Sequence, residues 1–219
     1  MVSKMILAAV AAAFATGCIP YSVGSTARTV PATKHTKATT AFVIPNGFEA
    51  KGDTAAATMP GVDSELRYGI DSRSDLGIRV PSWSGVVVNY KRRLDAVPQT
   101  PDADTAVAVS LMVGGGFVNW GQHAEGELSL LASAREDRQL VPYGGLRVIQ
   151  VAPLSRDVPH DRPTAGGFFG LRIGGRDASV APELGIYYDH SALGVRRSDV
   201  IFVPSITIRG DALSSILPF

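Results

Sequence analysis

Glu65-Leu66-Arg67-Tyr68-Gly69-Ile70-Asp71-Ser72-Arg73-Ser74-Asp75-Leu76-Gly77-Ile78-Arg79-Val80 holds two runs in which every second residue is apolar, joined by a polar turn. Leu66, Tyr68 and Ile70 fall on one side, Glu65, Arg67 and Gly69 on the other; after the turn Leu76, Ile78 and Val80 alternate with Gly77 and Arg79. A period of two sends successive side chains to opposite faces of an extended chain, and two such runs around a short turn make a hairpin. The pattern continues outward from this stretch. Val86, Val88 and Tyr90 oppose Val87, Asn89 and Lys91; Val107, Val109, Leu111 and Val113 oppose Ala108, Ser110, Met112 and Gly114. Leu146 and Val148 flank Arg147, Phe169, Leu171 and Ile173 flank Gly170 and Arg172, Leu184, Ile186 and Tyr188 alternate with Glu183, Gly185 and Tyr187, and Ile206 and Ile208 alternate with Ser205, Thr207 and Arg209. This predicts about ten strands, near 38–45, 62–71, 75–82, 84–94, 104–118, 126–134, 139–152, 166–174, 179–189 and 199–209, with eight or twelve as the alternative counts. Over 125–140 an amphipathic helix also fits, through Leu128, Leu131 and Arg135. A hairpin turning at 134–138 is preferred, because a strand pattern resumes at Pro142-Tyr143-Gly144-Gly145.

Composition agrees with an all-β chain. The 23 Gly and 14 Pro leave few stretches long enough for helices, and about 200 residues is the size of one barrel or sandwich. No apolar run approaches the roughly 18 residues of a transmembrane helix. The net charge of +1, with no basic stripe interleaved with aromatics, argues against nucleic acid. One cysteine excludes an internal disulfide or a multi-cysteine metal site, and no His, Cys and carboxylate set has metal-ligand spacing. Gly114-Gly115-Gly116 lacks the Lys and following helix of a phosphate loop and reads as close strand packing or a bulge.

Strands of this kind are buried in one of two ways: apolar faces inward in a soluble barrel or sandwich, or apolar faces toward lipid around a polar interior. The minority face carries Arg67, Arg79, Lys91, Arg147, Arg172 and Arg209 with Glu65 and Glu183, mixed with small residues that suit a narrow lumen. Tyr68, Tyr90 and Tyr188 suit an interfacial girdle. Connections mostly alternate long and short, except at Pro81-Ser82-Trp83-Ser84 and at 97–104. The expected fold is therefore an antiparallel up-and-down β-barrel of transmembrane type. Pro182 and Pro204 stand against it, since each removes a ladder donor inside a proposed strand. The alternative is a soluble periplasmic barrel or sandwich, tethered by a lipid and binding an apolar ligand inside.

At the start of the chain Lys4, the apolar residues 5–14 and the small residues Ala15, Thr16 and Gly17 precede Cys18. This segment resembles a bacterial lipoprotein signal peptide, with Ala15 where such peptides usually carry Leu. The resemblance implies cleavage before Cys18, acyl groups on Cys18 as the only added group, handling by lipoprotein-processing machinery, and delivery to the outer membrane, because Ile19 is not the retaining Asp. Loss of the first 17 residues, Lys4 among them, takes the formal charge from +1 to about zero. The organisation expected is a signal peptide over 1–17, a flexible lipid-anchored tether over 18–37, rich in Ser, Thr, Ala and Pro, and a barrel domain over 38–219.

Through the stretches 65–70, 75–79, 142–147 and 181–188 the chain also resembles small bacterial outer-membrane β-barrel proteins, particularly lipoprotein-anchored ones. That implies contact with membrane lipid and barrel-assembly machinery; the terminal Phe219 is similar to the aromatic end such machinery reads, although 211–218 does not alternate. His123, His160 and His190, with Asp161, Asp189 and Ser191 nearby, fall in or beside loops. Sequence neighbours rarely make a catalytic pair, because a base must meet its nucleophile in space, so no catalysis is expected. The expected role is structural or small-solute passage. Six interior cations against two carboxylates would favour a small anion in a water-filled interior; the alternative is a blocked interior in which the groups pair.

Overall fold

The computed structural model describes residues 20–48, 57–94, 107–134, 139–154, 162–189 and 199–210. Ten strands form a closed antiparallel barrel: β1 (His35–Phe48), β2 (Ala57–Gly69), β3 (Ser74–Pro81), β4 (Val86–Arg93), β5 (Ala108–Val118), β6 (His123–Ser133), β7 (Leu140–Pro153), β8 (Thr164–Gly174), β9 (Ala178–Asp189) and β10 (Asp199–Gly210). Each pairs with its sequence neighbours, and β10 closes on β1. Of the stretch that also fitted a helix, residues 125–133 lie in strand β6, paired with β5 without a break from Ala108↔Ser133 to Val118↔His123. No helix occurs among the described residues.

Alternation sorts the side chains as the period demands. Leu66 and Ile78 are 44% exposed on the outer wall, and Ile186, Leu146, Phe169 and Phe202 face outward with them, whereas Arg79 and Arg172 are buried. An interior of charge inside an apolar exterior inverts a soluble barrel. It removes the alternative of a sealed apolar centre holding an apolar ligand.

Both prolines sit where the ladder can spare a donor. Between β8 and β9 the pairs step from Gly170↔Glu183 to Ile173↔Val180 with the register unchanged, so the ladder lapses beside Pro182. Pro204 lies one residue beyond Phe42↔Ser205, where the β1–β10 pairing stops. At Gly116 an added Cβ would stand 2.0 Å from the Val86 carbonyl oxygen, so close packing against β4 explains the glycine.

Two ends are distinguished by topology. Connections β1–β2, β3–β4, β5–β6, β7–β8 and β9–β10 share the loop end; the start of β1, the finish of β10 and the remaining connections share the terminal end. The short β3–β4 connection, which broke the expected parity, is a tight turn with positive φ at Ser82 and Trp83, and the β5–β6 turn repeats this at Asn119 and Trp120. Two successive positive-φ residues suit the right-handed twist of a hairpin. The turns are joined by Trp120 N–H donating to the Ser84 carbonyl at 2.6 Å, and both indoles project outward at the rim.

Candidate functional site

The lumen is filled by the chain's own N-terminal segment. Residues 20–28 and Val30 are buried although they form no strand or helix. The free tether expected here is therefore corrected over these residues. Such a segment brings unpaired backbone groups into a closed space, and each needs a partner.

Inward side chains of the wall supply those partners. Near the loop end the Tyr21 carbonyl accepts from Tyr187 Oη at 2.6 Å and from Arg147 Nη1 at 3.2 Å, and the Ser22 carbonyl accepts from Arg147 at 2.7 Å and Arg79 at 3.1 Å. Glu183 accepts from the amides of Val23 and Gly24 at 2.8 and 2.9 Å, and Arg209 donates to the Gly24 carbonyl at 3.0 Å. Farther toward the terminal end Lys91 Nζ donates to Ser25 Oγ, the Thr26 carbonyl and the Arg28 carbonyl at 3.0, 3.1 and 2.7 Å. Asp75 then accepts from the Val30 amide at 2.8 Å. The segment turns out of the lumen there, with Thr33 N–H bonded to the Gly69 carbonyl and Gly69 N–H to the Lys34 carbonyl, both at 2.9 Å, before β1 begins.

Side-chain size fits the passage. Val23 and Ala27 pack against Met112, Leu131, Tyr143, Phe168 and Ala181, while Ser25 Oγ and the Thr26 and Arg28 carbonyls face Lys91. Tyr21 joins an apolar cap with Phe42, Val87, Val118, Ile149 and Tyr187, its ring centroid 5.5 Å from that of Tyr187. Gly24 has φ +58°, and a Cβ there would lie 2.2 Å from Thr207 Oγ1, so conformation and space both demand glycine.

The eight charged residues read from alternation all have places on the inner wall. Glu65, Arg67, Arg79, Lys91, Arg147, Arg172 and Glu183 are buried and Arg209 is partly so. Four further wall carboxylates, Asp63, Asp75, Glu125 and Glu127, are buried with them. Six cations thus meet six carboxylates, and the surplus that would have favoured an anion throughout the lumen is corrected. Arg67 pairs with Asp75 and, at 2.7 Å, with Glu65; Arg147 pairs with Glu127. Arg79 lies 3.6 Å from Glu65 and 3.9 Å from Glu127, and Lys91 lies 3.6 Å from Asp75. Asn89 accepts from Arg67 at 2.7 Å, adding a neutral partner to the network.

Asp63, Asp75 and Glu127 fall inside the strand ranges read from the sequence but are not among the lumen residues read there; only Glu125 lies outside those ranges. Asp75 also closes the turn sequence but follows Ser74 into β3, and Glu125 belongs to β6, which starts at His123 and not at 126. Asp63 shares the face of Glu65, two residues away. Of the histidines, His123 opens β6 with its Nδ1 3.2 Å from Asn119 Nδ2. Cys18, His160, Asp161, His190, Ser191 and Phe219 lie outside the described residues, as does the side chain of Asp189. Among the described residues no group of three His, Cys, Asp or Glu could hold a metal ion.

No protein-family model and no curated protein matches the chain. Similar solved structures include the neisserial surface protein NspA, 11% identical, covering 80% of this chain and 95% of that one with a TM-score of 0.35. The outer membrane protein OprG from Pseudomonas aeruginosa is 10% identical over 84% of this chain and 99% of that one, with a TM-score of 0.37. Ail, the attachment invasion locus protein of Yersinia pestis, solved with the heparin analogue sucrose octasulfate, is 10% identical over 81% and 96%, with a TM-score of 0.29. At such scores the fold assignment rests on the strand pairing and burial described above.

Proposed function

We propose that this chain is an outer-membrane β-barrel that its own N-terminal segment keeps shut, with a structural role and neither solute passage nor catalysis. The observation that carries this reading is the occupied lumen, in which Arg79, Lys91, Arg147, Asp75 and Glu183 grip the backbone from Tyr21 to Val30. An aqueous path would have to displace all of these contacts. Membrane insertion is supported by the apolar outer face, by a closed ladder that leaves no free sheet edge in hydrocarbon, and by rim aromatics, Trp83, Trp120 and Tyr188 at the loop end and Tyr68 at the terminal end.

Acylation of Cys18 belongs to the same proposal. Pro20 is two residues away, so the lipid would be carried by the segment that fills the barrel, and two residues span only about 7 Å. Anchoring at the terminal-end leaflet would then compete with filling of the lumen. Handling by lipoprotein-processing and barrel-assembly machinery follows from this reading, and mass spectrometry of the N-terminal peptide, compared with a Cys18→Ser variant, tests it.

Conductance tests the shut barrel. The intact protein is expected to leave a planar bilayer at baseline, while deletion of residues 20–30 produces open channels. A control independent of that deletion uses Cys18→Ser with Ala27→Cys, where a soluble maleimide should label the lumen thiol far more slowly than the unfolded chain. Steady conductance by the intact protein, or labelling as fast as in denaturant, would overturn the reading.

A further inference from the structure

We propose that the outer rim of the barrel at the terminal end, around the β2–β3 turn, binds the headgroup of an anionic phospholipid. Four exposed cations meet there: Lys34 just before β1, Lys37 within it, Arg73 in the turn and Arg92 near the end of β4. The backbone brings them together. The Lys34 carbonyl accepts from the Gly69 amide at 2.9 Å, the Arg73 carbonyl accepts from the Arg93 amide at 2.8 Å, and Ser74 pairs with Arg92. Among the described residues none of the four is held in an ion pair, unlike Arg67 and Arg147 in the lumen. The exposed carboxylate of the turn is Asp71, whose Oδ1 accepts from the Arg73 amide at 2.6 Å and which Arg92 attracts. Cations therefore outnumber carboxylates among the described residues of this rim.

The adjoining outer wall suits the rest of the lipid. Lys37 pairs with Leu66 and Leu66 with Ile78, both on the exposed apolar face, and Tyr68, paired with His35 and Leu76, is 49% exposed beside them. Acyl chains laid along Leu66 and Ile78 put the phosphate level with the turn. A lysine at the edge of an apolar belt keeps its methylenes on the wall and sends its ammonium to the headgroup layer, and a tyrosine suits the same boundary. Clustered Lys and Arg at a membrane surface attract lipids of net negative charge, and the planar fork of arginine matches two phosphate oxygens. A zwitterionic headgroup brings a cation of its own into the same cluster. Charge thus selects among lipids, and the apolar wall selects a lipid over a soluble phosphate. The site rests on the membrane-barrel reading and does not depend on the barrel being shut to solutes.

Native mass spectrometry of the full chain, released from nanodiscs holding equal phosphatidylglycerol and phosphatidylcholine, tests the site. The parent is expected to retain phosphatidylglycerol over phosphatidylcholine by about tenfold, and Lys37→Gln with Arg73→Gln and Arg92→Gln to bring the ratio close to one. All three side chains are exposed, so the variant carries little folding burden. Arg162→Gln, exposed at the loop end, should leave the ratio unchanged. Equal retention by the parent, a ratio kept in the triple variant, or an equal fall in Arg162→Gln would overturn the proposal, as would displacement of the retained lipid by excess soluble glycerol phosphate. Insertion is read separately, from heat-modifiable gel mobility: failure to insert overturns the membrane reading and this site with it, whereas insertion without lipid preference overturns the site alone.

Discussion

The two ends of the lumen are closed by different physics. At the loop end Tyr21 is packed among Phe42, Val87, Val118, Ile149 and Tyr187, and the nearby Arg147 is tied to Glu127. At the terminal end the segment leaves past Lys91 and Asp75, and Thr33 and Lys34 then pair with Gly69. One end is held by close apolar packing; the other by hydrogen bonds to buried charged groups of the wall. The difference teaches that the seal lies at the loop end, whereas the exit is held by polar contacts.

The largest effect should follow from breaking the loop-end half. Replacing Arg147 with Ala removes one of two donors to each of the Tyr21 and Ser22 carbonyls and, among the described residues, leaves the buried Glu127 with only Arg79, 3.9 Å away. A buried ion pair that loses one partner typically destabilises by about 3–5 kcal/mol, whereas replacing both partners with apolar groups is often close to neutral. Urea unfolding in lipid vesicles should therefore show a large loss for Arg147→Ala that is mostly recovered in Arg147→Met with Glu127→Leu. An equal loss in the double variant would mean that packing, and not the stranded charge, sets the cost.

A smaller effect is expected at the terminal end, because removing its cation leaves no carboxylate without a close partner. Lys91→Ala removes three hydrogen bonds to the segment, but Asp75 keeps Arg67 as a partner, so no charge is stranded. Each hydrogen bond to a charged group contributes about 1.5–3 kcal/mol, but removing Lys91 also relieves the several kcal/mol that burying its ammonium costs. The same unfolding measurement should therefore show a net loss for Lys91→Ala below that of Arg147→Ala. Reversal of the order would break the distinction between the ends.

The sequence made the wall legible and the filling illegible, for separable reasons. A strand writes its two faces into the chain with a period of two, so Arg67, Arg79 and Arg147 could be assigned inward from Leu66, Ile78 and Val148 alone. The segment 20–30 has no period, because wall side chains satisfy its backbone, and that support is written in distant residues such as Glu183 and Lys91. Its Ser, Thr and Ala content reads equally well as a solvated linker. Gly24 is a local mark of confinement, explained by its positive φ and by the Thr207 side chain beside it.

Tyr187→Phe gives the mildest and sharpest test of the loop-end seal. The ring stays beside Tyr21, 5.5 Å between centroids, while the hydroxyl that donates to the Tyr21 carbonyl at 2.6 Å is lost. Arg147 still reaches that carbonyl at 3.2 Å, so no buried acceptor is orphaned and the loss should be about 1 kcal/mol. About 1 kcal/mol corresponds to roughly a fivefold change in an opening equilibrium. Labelling of the Ala27→Cys thiol should accelerate by about that factor in the Cys18→Ser background, with folding unchanged. If the segment were instead held chiefly from its exit, the Tyr187 hydroxyl would be irrelevant to its release, and the labelling rate would match that of the parent.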